Sequence, residues 1–250
     1  MEQLEEIKRI AKQAGEKILD IYTNEDFSKT IDFKSDDSPL TIADKAAHEI
    51  IVKALKTLSP SIPILSEEGK HESYDVRKNW EMLWCVDPLD GTKEFINKNG
   101  EFTVNIALIV DKKPILGVVY APVLDAMYAG EKGKGAHLER NGKVIKIEVN
   151  HKKTDLIAVQ SKSHASNEEE KLLGDYHVAD TISVGSSLKF CMVAEGKADI
   201  YYRHGPTMEW DTAAGQAVVE AAGGKVLSGE KTFTYNKESL LNGSFLCLGH

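Results

Sequence analysis

Cysteine is scarce in this chain of 250 residues. There are three, Cys85, Cys191 and Cys247, far apart and each beside apolar neighbours. That excludes a disulfide framework and predicts buried free thiols, in keeping with a reducing compartment. Long apolar runs are missing too. The longest, residues 104–110, has Asn105 inside it, whereas a membrane-spanning helix needs ~20 apolar residues, so no integral membrane segment is expected. Positive charge is in deficit: 31 basic residues face 39 acidic ones, for a formal net charge of −8. A large nucleic-acid surface is therefore not expected, and neither DNA nor long RNA is expected as a partner. The first residues, Met-Glu-Gln-Leu-Glu-Glu, lack the basic stretch and apolar stretch of a signal peptide. The expected location is the cytoplasm, with peripheral attachment at the inner membrane left open. There is no internal repeat and no low-complexity segment.

What is present is a globular composition. Hydrophobic residues make up 42% and charged residues 28%, enough for a substantial core in one large domain or two closely joined ones. Leu4, Ile7, Ile10, Ala11, Ala14 and Ile18 recur at helical spacing and predict a helix over 3–22. A second amphipathic helix runs to Leu58 from a start near Thr41 and Asp44, a pair with the flavour of a capping box. Residues 36–39 read as a turn. Strands are expected at 62–65, 82–86, 103–110, 115–120, 126–130, 156–160, 181–184 and 199–202, with helices at 168–173, 186–194 and 212–222. Residues 112–114 and Asn141-Gly142 suggest hairpin turns. Hairpins mixed with helices argue against an all-parallel doubly wound sheet. A boundary near 148–154 divides the chain into 1–150 and 151–250.

The informative feature is acid at strand ends. Glu67 and Glu68 follow one expected strand, and Asp87 and Asp90 the next. Asp87-Pro88-Leu89-Asp90 sets two carboxylates three residues apart across a rigid turn, which aims both of them and the Leu89 carbonyl at one point. Like charges that close need a countercharge. Mg²⁺ suits such oxygen donors, and no Cys/His cluster has zinc spacing. Gly91-Thr92 adds a flexible backbone and a hydroxyl, and free N–H groups there would hold a phosphate if Thr92 opens a helix. The plain reading of the same residues is a surface turn. Asp211, in Trp210-Asp211-Thr212, either caps the following helix or reaches the same cluster from the other half of the chain.

Three segments in series, 65–68, 84–92 and 210–215, resemble the inositol monophosphatase superfamily of lithium-sensitive, magnesium-dependent phosphomonoesterases. The likeness covers nearly the whole chain. Within it, segments 38–41, 90–96, 99–108 and 185–191 resemble the CysQ-type 3'(2'),5'-bisphosphate nucleotidases. Residues 161–164 come close to that group's Ser-Arg-Ser-His pattern, with Lys162 in place of the arginine. The resemblance implies an α+β fold, a layered αβαβα sandwich with the site between two subdomains. It implies hydrolysis of the 3'-phosphate of adenosine 3',5'-bisphosphate to AMP, with 3'-phosphoadenosine 5'-phosphosulfate as a related substrate. The role would be clearing a by-product of sulfate activation, by a monomer acting on a small nucleotide.

Residue roles follow from the resemblance. Two or three Mg²⁺ ions are expected. Glu67, Asp87 and the Leu89 carbonyl would hold the first, and Asp87, Asp90 and Asp211 the second. Glu68 would either reach a third through water or orient Glu67. Thr92, hydrogen-bonded to Asp44, would position a magnesium-activated water for in-line attack. The Gly91 and Thr92 N–H groups would hold the reacting phosphate, next to Glu67 and Asp211. Ser186 and Lys189, three apart at an expected helix start, would share a face and bind the 5'-phosphate with Arg203. His164 would lie near the adenine, and Lys34 near the metal cleft. Two other readings stand beside this one: an inositol monophosphatase, and a non-catalytic metal-dependent nucleotide-binding module.

Overall fold

The first helical stripe forms α1 (Glu2–Tyr22), with Ile7, Ile10, Ala14 and Ile18 fully buried. The computed structural model describes residues 2–23, 31–33, 39–161 and 167–250. Of the expected turn at 36–39, residues 36–38 lie outside them, and Pro39 begins a strand instead. Two short antiparallel strands, β1 (Ile31–Phe33) and β2 (Pro39–Thr41), lead into α2 (Ile42–Leu58). Thr41 is the N-cap of α2, and the capping box with Asp44 is present.

A seven-stranded sheet follows, in spatial order of its sequence: β3 (Ile64–Ser66), β4 (Met82–Asp90), β5 (Thr103–Val110), β6 (Lys113–Ala121), β7 (Ala126–Glu131), β8 (Gly135–Arg140) and β9 (Lys143–Ile147). Only β3 and β4 are parallel; the other neighbours are antiparallel. Two short helices interrupt the series, α3 (Tyr74–Arg77) and α4 (Thr92–Ile96). The β5–β6 turn is Asp111-Lys112, both with positive φ, the geometry of a two-residue hairpin loop. Pro114, expected in the turn, instead lies inside β6 where the register shifts. Asn141-Gly142 turns as expected.

The remaining chain gives β10 (Leu156–Gln160), α5 (Asn167–Asp175), β11 (Val178–Ser183), α6 (Leu188–Ala194), β12 (Ile200–Arg203), β13 (Thr207–Met208), α7 (Glu209–Ala221), β14 (Lys225–Ser228), β15 (Lys231–Thr232), β16 (Leu241–Asn242) and β17 (Phe245–Leu248). Six of these strands form a mixed sheet in the order β11-β10-β12-β17-β14-β15, and β13 pairs with β16.

Three apolar layers explain the stacking. One lies between α1, α2 and the first sheet, and includes Trp84, Phe95, Phe102 and Tyr120. The second lies between the sheets, where α6 and α7 sit, and includes Phe190, Tyr201, Trp210 and Phe245. The third, with Leu156, Leu173 and Ile200, lies under α5. The order is therefore αβαβα, the expected sandwich. The small residues of α7 allow the close middle layer: a Cβ on Gly117 of β6 would come within 2.5 Å of the Ala214 carbonyl, and one on Gly130 of β7 within 2.8 Å of the Val218 Cα. All three cysteines are buried free thiols. Among the described residues no helix is long and apolar enough to cross a membrane.

Candidate active site

The sequence suggests that β4 ends before Asp87. It does not. The strand runs on through Asp90, so Asp87 and Asp90 sit on its last turnless stretch rather than in a loop after it. What aims them is a bulge. Asp87 pairs with Asn105 and Asp90 with Thr103, three steps on β4 against two on β5. One extra residue, beside Pro88, re-aims the end of the strand. Asp87 Oδ1 accepts the Leu89 N–H at 3.0 Å. Gly91 then takes φ +92 and caps α4, which Thr92 opens as expected.

Asp44 is 2% exposed, not a solvent-facing decoration of α2. Its Oδ2 accepts the Thr41 N–H at 2.8 Å and the Thr41 hydroxyl at 2.5 Å. Its Oδ1 accepts the Thr92 hydroxyl at 3.3 Å. Burial, above all, pushes its carboxyl up to about 6, against the hydrogen bonds from Thr41 and with help from the charges of Glu68 and Glu67.

Glu67 and Glu68 follow β3 on a loop tied down twice. His48 Nδ1 lies 2.9 Å from Ser66 Oγ, and His71 Nε2 lies 2.9 Å from the Ser66 carbonyl. A hollow of about 660 Å³ behind this loop is lined by His48, Lys56 and Trp80, and carries no acid.

The second half of the chain supplies the opposite wall. α7 begins at Glu209, earlier than the sequence suggests, so Asp211 is not the cap itself but the third residue of the helix. Its Oδ2 accepts the Met208 N–H at 2.8 Å. α6 begins at Leu188, later than expected. Ser186 therefore lies outside the helix with φ +48, and Ser187 is the N-cap. Ser186 and Lys189 do not share a helix face; the Lys189 ammonium donates to the Ser186 carbonyl at 2.7 Å. Lys189 is not a solvated lysine either, being 7% exposed. Burial pulls its ammonium below the ordinary lysine range, and Arg203 adds to this while Asp90, Glu94 and Asp211 oppose it.

One cavity of about 170 Å³ collects these groups. Asp90, Gly91, Ser186, Lys189, Arg203 and Asp211 all line it. Arg203 also pairs with buried Glu169 at 3.7 Å. The acids feel one another strongly. Burial first, then Glu67, Asp90 and Asp211, raises the Asp87 carboxyl well above its usual range. Burial, then Asp90 and Glu67, does the same for Asp211. Acids from both halves of the chain thus influence one another electrostatically.

The donor set fits a hard divalent cation. It is all oxygen, and its mutual repulsion calls for a positive charge. Among the described residues, however, no three acidic, histidine or cysteine side chains converge closely enough to form a ready-made cage. A cation would have to draw the carboxylates together.

A model of the inositol monophosphatase family matches residues 1–247. This chain belongs to the inositol monophosphatase family. Family relatives include the 3'(2'),5'-bisphosphate nucleotidase CysQ of Salmonella typhimurium, 49% identical over 97% of this chain and 98% of that protein. The nucleotidase CysQ of Haemophilus influenzae is 34% identical over 98% and 92%. Among solved members of the family, CysQ from Bacteroides thetaiotaomicron superposes with a TM-score of 0.85 at 46% identity, covering 96% of this chain and 94% of that one. The Thermotoga maritima IMPase, at 23% identity and a TM-score of 0.81, shares the fold.

Of the residues singled out in the sequence, the structure gathers Asp90, Gly91, Ser186, Lys189, Arg203 and Asp211 around one cavity and joins Asp44 to Thr92. The charges of Glu67, Asp90 and Asp211 all act on Asp87. Lys34 and His164 lie outside the described residues. Sequence reasoning passed over Ser187, Thr103 and Asn105 as site residues, although all three approach Asp90. A fully buried asparagine inside the apolar run of β5 was the available signal.

Proposed function

We propose that this protein is a magnesium-dependent phosphomonoesterase that hydrolyses the 3'-phosphate of adenosine 3',5'-bisphosphate to AMP and phosphate. 3'-Phosphoadenosine 5'-phosphosulfate is a second substrate, which places the enzyme in sulfur metabolism. One observation carries the reading: acids and buried cations line the same cavity, so one molecule can present a phosphate to each. The 49% identity to a named 3'(2'),5'-bisphosphate nucleotidase over nearly the whole chain supports it.

Mg²⁺, in two or three ions, would supply Lewis acidity: a water made acidic and charge stabilised on the departing oxygen. Glu67, Asp87 and the Leu89 carbonyl would hold one ion, and Asp87, Asp90 and Asp211 another, with Glu68 at the margin. The rest falls to this chain. Thr92 Oγ, donating to Asp44, accepts a hydrogen bond from the attacking water and fixes its direction toward phosphorus. Asp44 takes up the proton that the water gives through Thr92. Gly91, left-handed and without a side chain, lets the start of α4 approach the phosphate with free N–H groups. Lys189 and Arg203, with Ser186, hold the 5'-phosphate that does not react; buried charge makes such contacts strong. His164 is assigned to the adenine. Residues 1–150 act as the subdomain with most metal ligands, and 151–250 as the one with the nucleotide site. The protein acts as a cytoplasmic monomer on small nucleotides, not on DNA or long RNA.

The buried Lys189 and Arg203 favour a bisphosphate over inositol monophosphate, and the Asp44–Thr92 pair favours turnover over mere binding. Phosphate release from adenosine 3',5'-bisphosphate and from inositol 1-phosphate, compared at controlled Mg²⁺, tests this. Preference for the nucleotide is expected. Preference for the inositol phosphate rejects the assignment, and nucleotide binding without release rejects the enzyme.

A further inference from the structure

Three consecutive residues, Gly185, Ser186 and Ser187, fasten the second half of the chain to the first. The Gly185 N–H donates to Glu101 Oε2 at 2.8 Å. A Cβ on Gly185 would come within 2.7 Å of Glu94 Cγ and 2.9 Å of the Glu101 carbonyl, so the loop lies directly on that surface. A Cβ on Gly91 would come within 3.2 Å of Ser186 Cβ. Ser187 then makes the densest contact. Its N–H and its hydroxyl lie 2.6 Å and 2.7 Å from the same oxygen, Asp90 Oδ2. The hydroxyl is also 2.8 Å from the Asp211 carbonyl and 2.9 Å from the Asn105 amide nitrogen.

A serine hydroxyl has one proton to give and lone pairs to accept. Ser187 therefore donates to Asp90 or Asp211 while accepting from Asn105. Asn105 also approaches Asp90 Oδ2, at 3.3 Å. It is fully buried, and its own Oδ1 has no hydrogen-bond partner. A buried amide with an unpartnered oxygen is costly in a strand otherwise made of apolar residues. Its nitrogen serves the Asp90–Ser187 contact. Asp90 Oδ2 is crowded with donors, which leaves Oδ1 as the oxygen to offer a cation.

The same serine borders the anion side of the cavity. It caps α6, whose second residue is Lys189, and the Ser186 carbonyl holds the Lys189 ammonium. The acid wall and the cationic wall thus share a hinge at Ser187.

We propose that Ser187 is a positioning residue that fixes the Asp90 carboxylate and couples it to the anion pocket, so that a nucleotide phosphate seated at Ser186, Lys189 and Arg203 tightens a divalent cation at Asp90 and Asp211. The proposal rests on the nucleotidase reading of this site. Groups that hold a metal-binding carboxylate in place commonly govern metal affinity about tenfold or more. Linkage makes the effect reciprocal: the cation tightens the nucleotide by the same factor. Direct attraction between phosphate and cation acts without Ser187; the proposal concerns the part that needs it.

The test is Mn²⁺ binding to the full-length protein by calorimetry, without and with saturating adenosine 5'-phosphate as the probe. In the wild type the nucleotide should tighten Mn²⁺ about tenfold. In Ser187→Ala, Mn²⁺ alone should bind about tenfold more weakly, and the tightening should shrink to about twofold. Lys189→Met should lose the tightening without weakening Mn²⁺ alone, since it removes a positive charge facing Asp90 and Asp211, and this separates the two walls. Ser187→Cys, equal in shape but a weak donor, should behave as the alanine variant does and covers the case in which alanine impairs folding. Wild-type affinity and wild-type tightening in both serine variants would overturn the proposal alone. A wild type that binds no divalent cation would overturn the reading beneath it as well.

Discussion

Thr92 and Asp44, 48 positions apart, meet at 3.3 Å with the threonine hydroxyl donating to Asp44 Oδ1. Both belong to helix starts. Asp44 lies in the first turn of α2 and is held by its own N-cap, Thr41, while Thr92 opens α4 beyond the β4 bulge. Two local capping geometries thus place a carboxyl beside a hydroxyl, within reach of the charges of Glu68 and Glu67.

The pair should act as a unit. Thr92→Ala and Asp44→Asn are each expected to lower kcat by ~10²–10⁴, the usual range for a lost acid–base function. The double variant should be little worse than the worse single one. Steady-state kinetics at saturating Mg²⁺ decides; fully multiplicative losses would separate the two roles.

Asp44 also predicts a pH dependence of stability. Its carboxyl is raised from 3.8 to about 6 in the fold. Well below pH 3.8 it is protonated folded and unfolded, and contributes nothing. As pH rises toward 6 the unfolded chain ionises first, so folding is progressively disfavoured, by about 3 kcal/mol once pH exceeds 6. Asp44→Asn removes this contribution. In metal-free denaturation, stability of the variant relative to the wild type should rise by about 2 kcal/mol from pH 4 to pH 7. A constant difference would contradict the raised carboxyl.

A divalent cation should stabilise the fold most where the acids are ionised. Asp87 is raised by burial and by Glu67, Asp90 and Asp211, and Asp211 by burial and by Asp90 and Glu67, so protons compete with the cation and its effect should fade as pH drops. At Mg²⁺ a hundredfold above its dissociation constant, the gain is about 2.7 kcal/mol. For a chain of this size that is a melting shift of about 5–10 °C. Asp211→Asn should lose most of the shift, as read by calorimetry.

Much of this was legible in the sequence, for a physical reason. Helical periodicity, capping pairs and turn dipeptides are local, and α1, the Thr41–Asp44 box and the Asn141-Gly142 turn came out as read. The acids were legible because carboxylates at strand ends have little structural use. The β4 bulge was not, since a one-residue slip against β5 depends on a partner strand. The later start of α6 was hidden by Ser186, whose left-handed backbone lies against Gly91 and is not written in the local pattern. The burial of Lys189 was hidden likewise, because a lysine at helical spacing looks the same whether water or Arg203 lies above it.

Lys189 should govern substrate choice. Lys189→Met keeps the stem but removes the charge. It should raise KM for adenosine 3',5'-bisphosphate about 10–100-fold, the worth of a charge-assisted hydrogen bond. Turnover of inositol 1-phosphate, which has no second phosphate, should be unchanged. Equal losses on both substrates would make Lys189 a structural residue.

The proposed function requires acids from both halves of the chain to share divalent cations beside the Gly91-Thr92 turn. Anomalous scattering from a crystal grown with Mn²⁺ decides whether they do. Peaks bonded to Asp87, Asp90 and Asp211 together, with Glu67 and the Leu89 carbonyl on a neighbouring one, are the predicted result. Manganese found only elsewhere, with Asp211 turned away from Asp87 and Asp90, would contradict it.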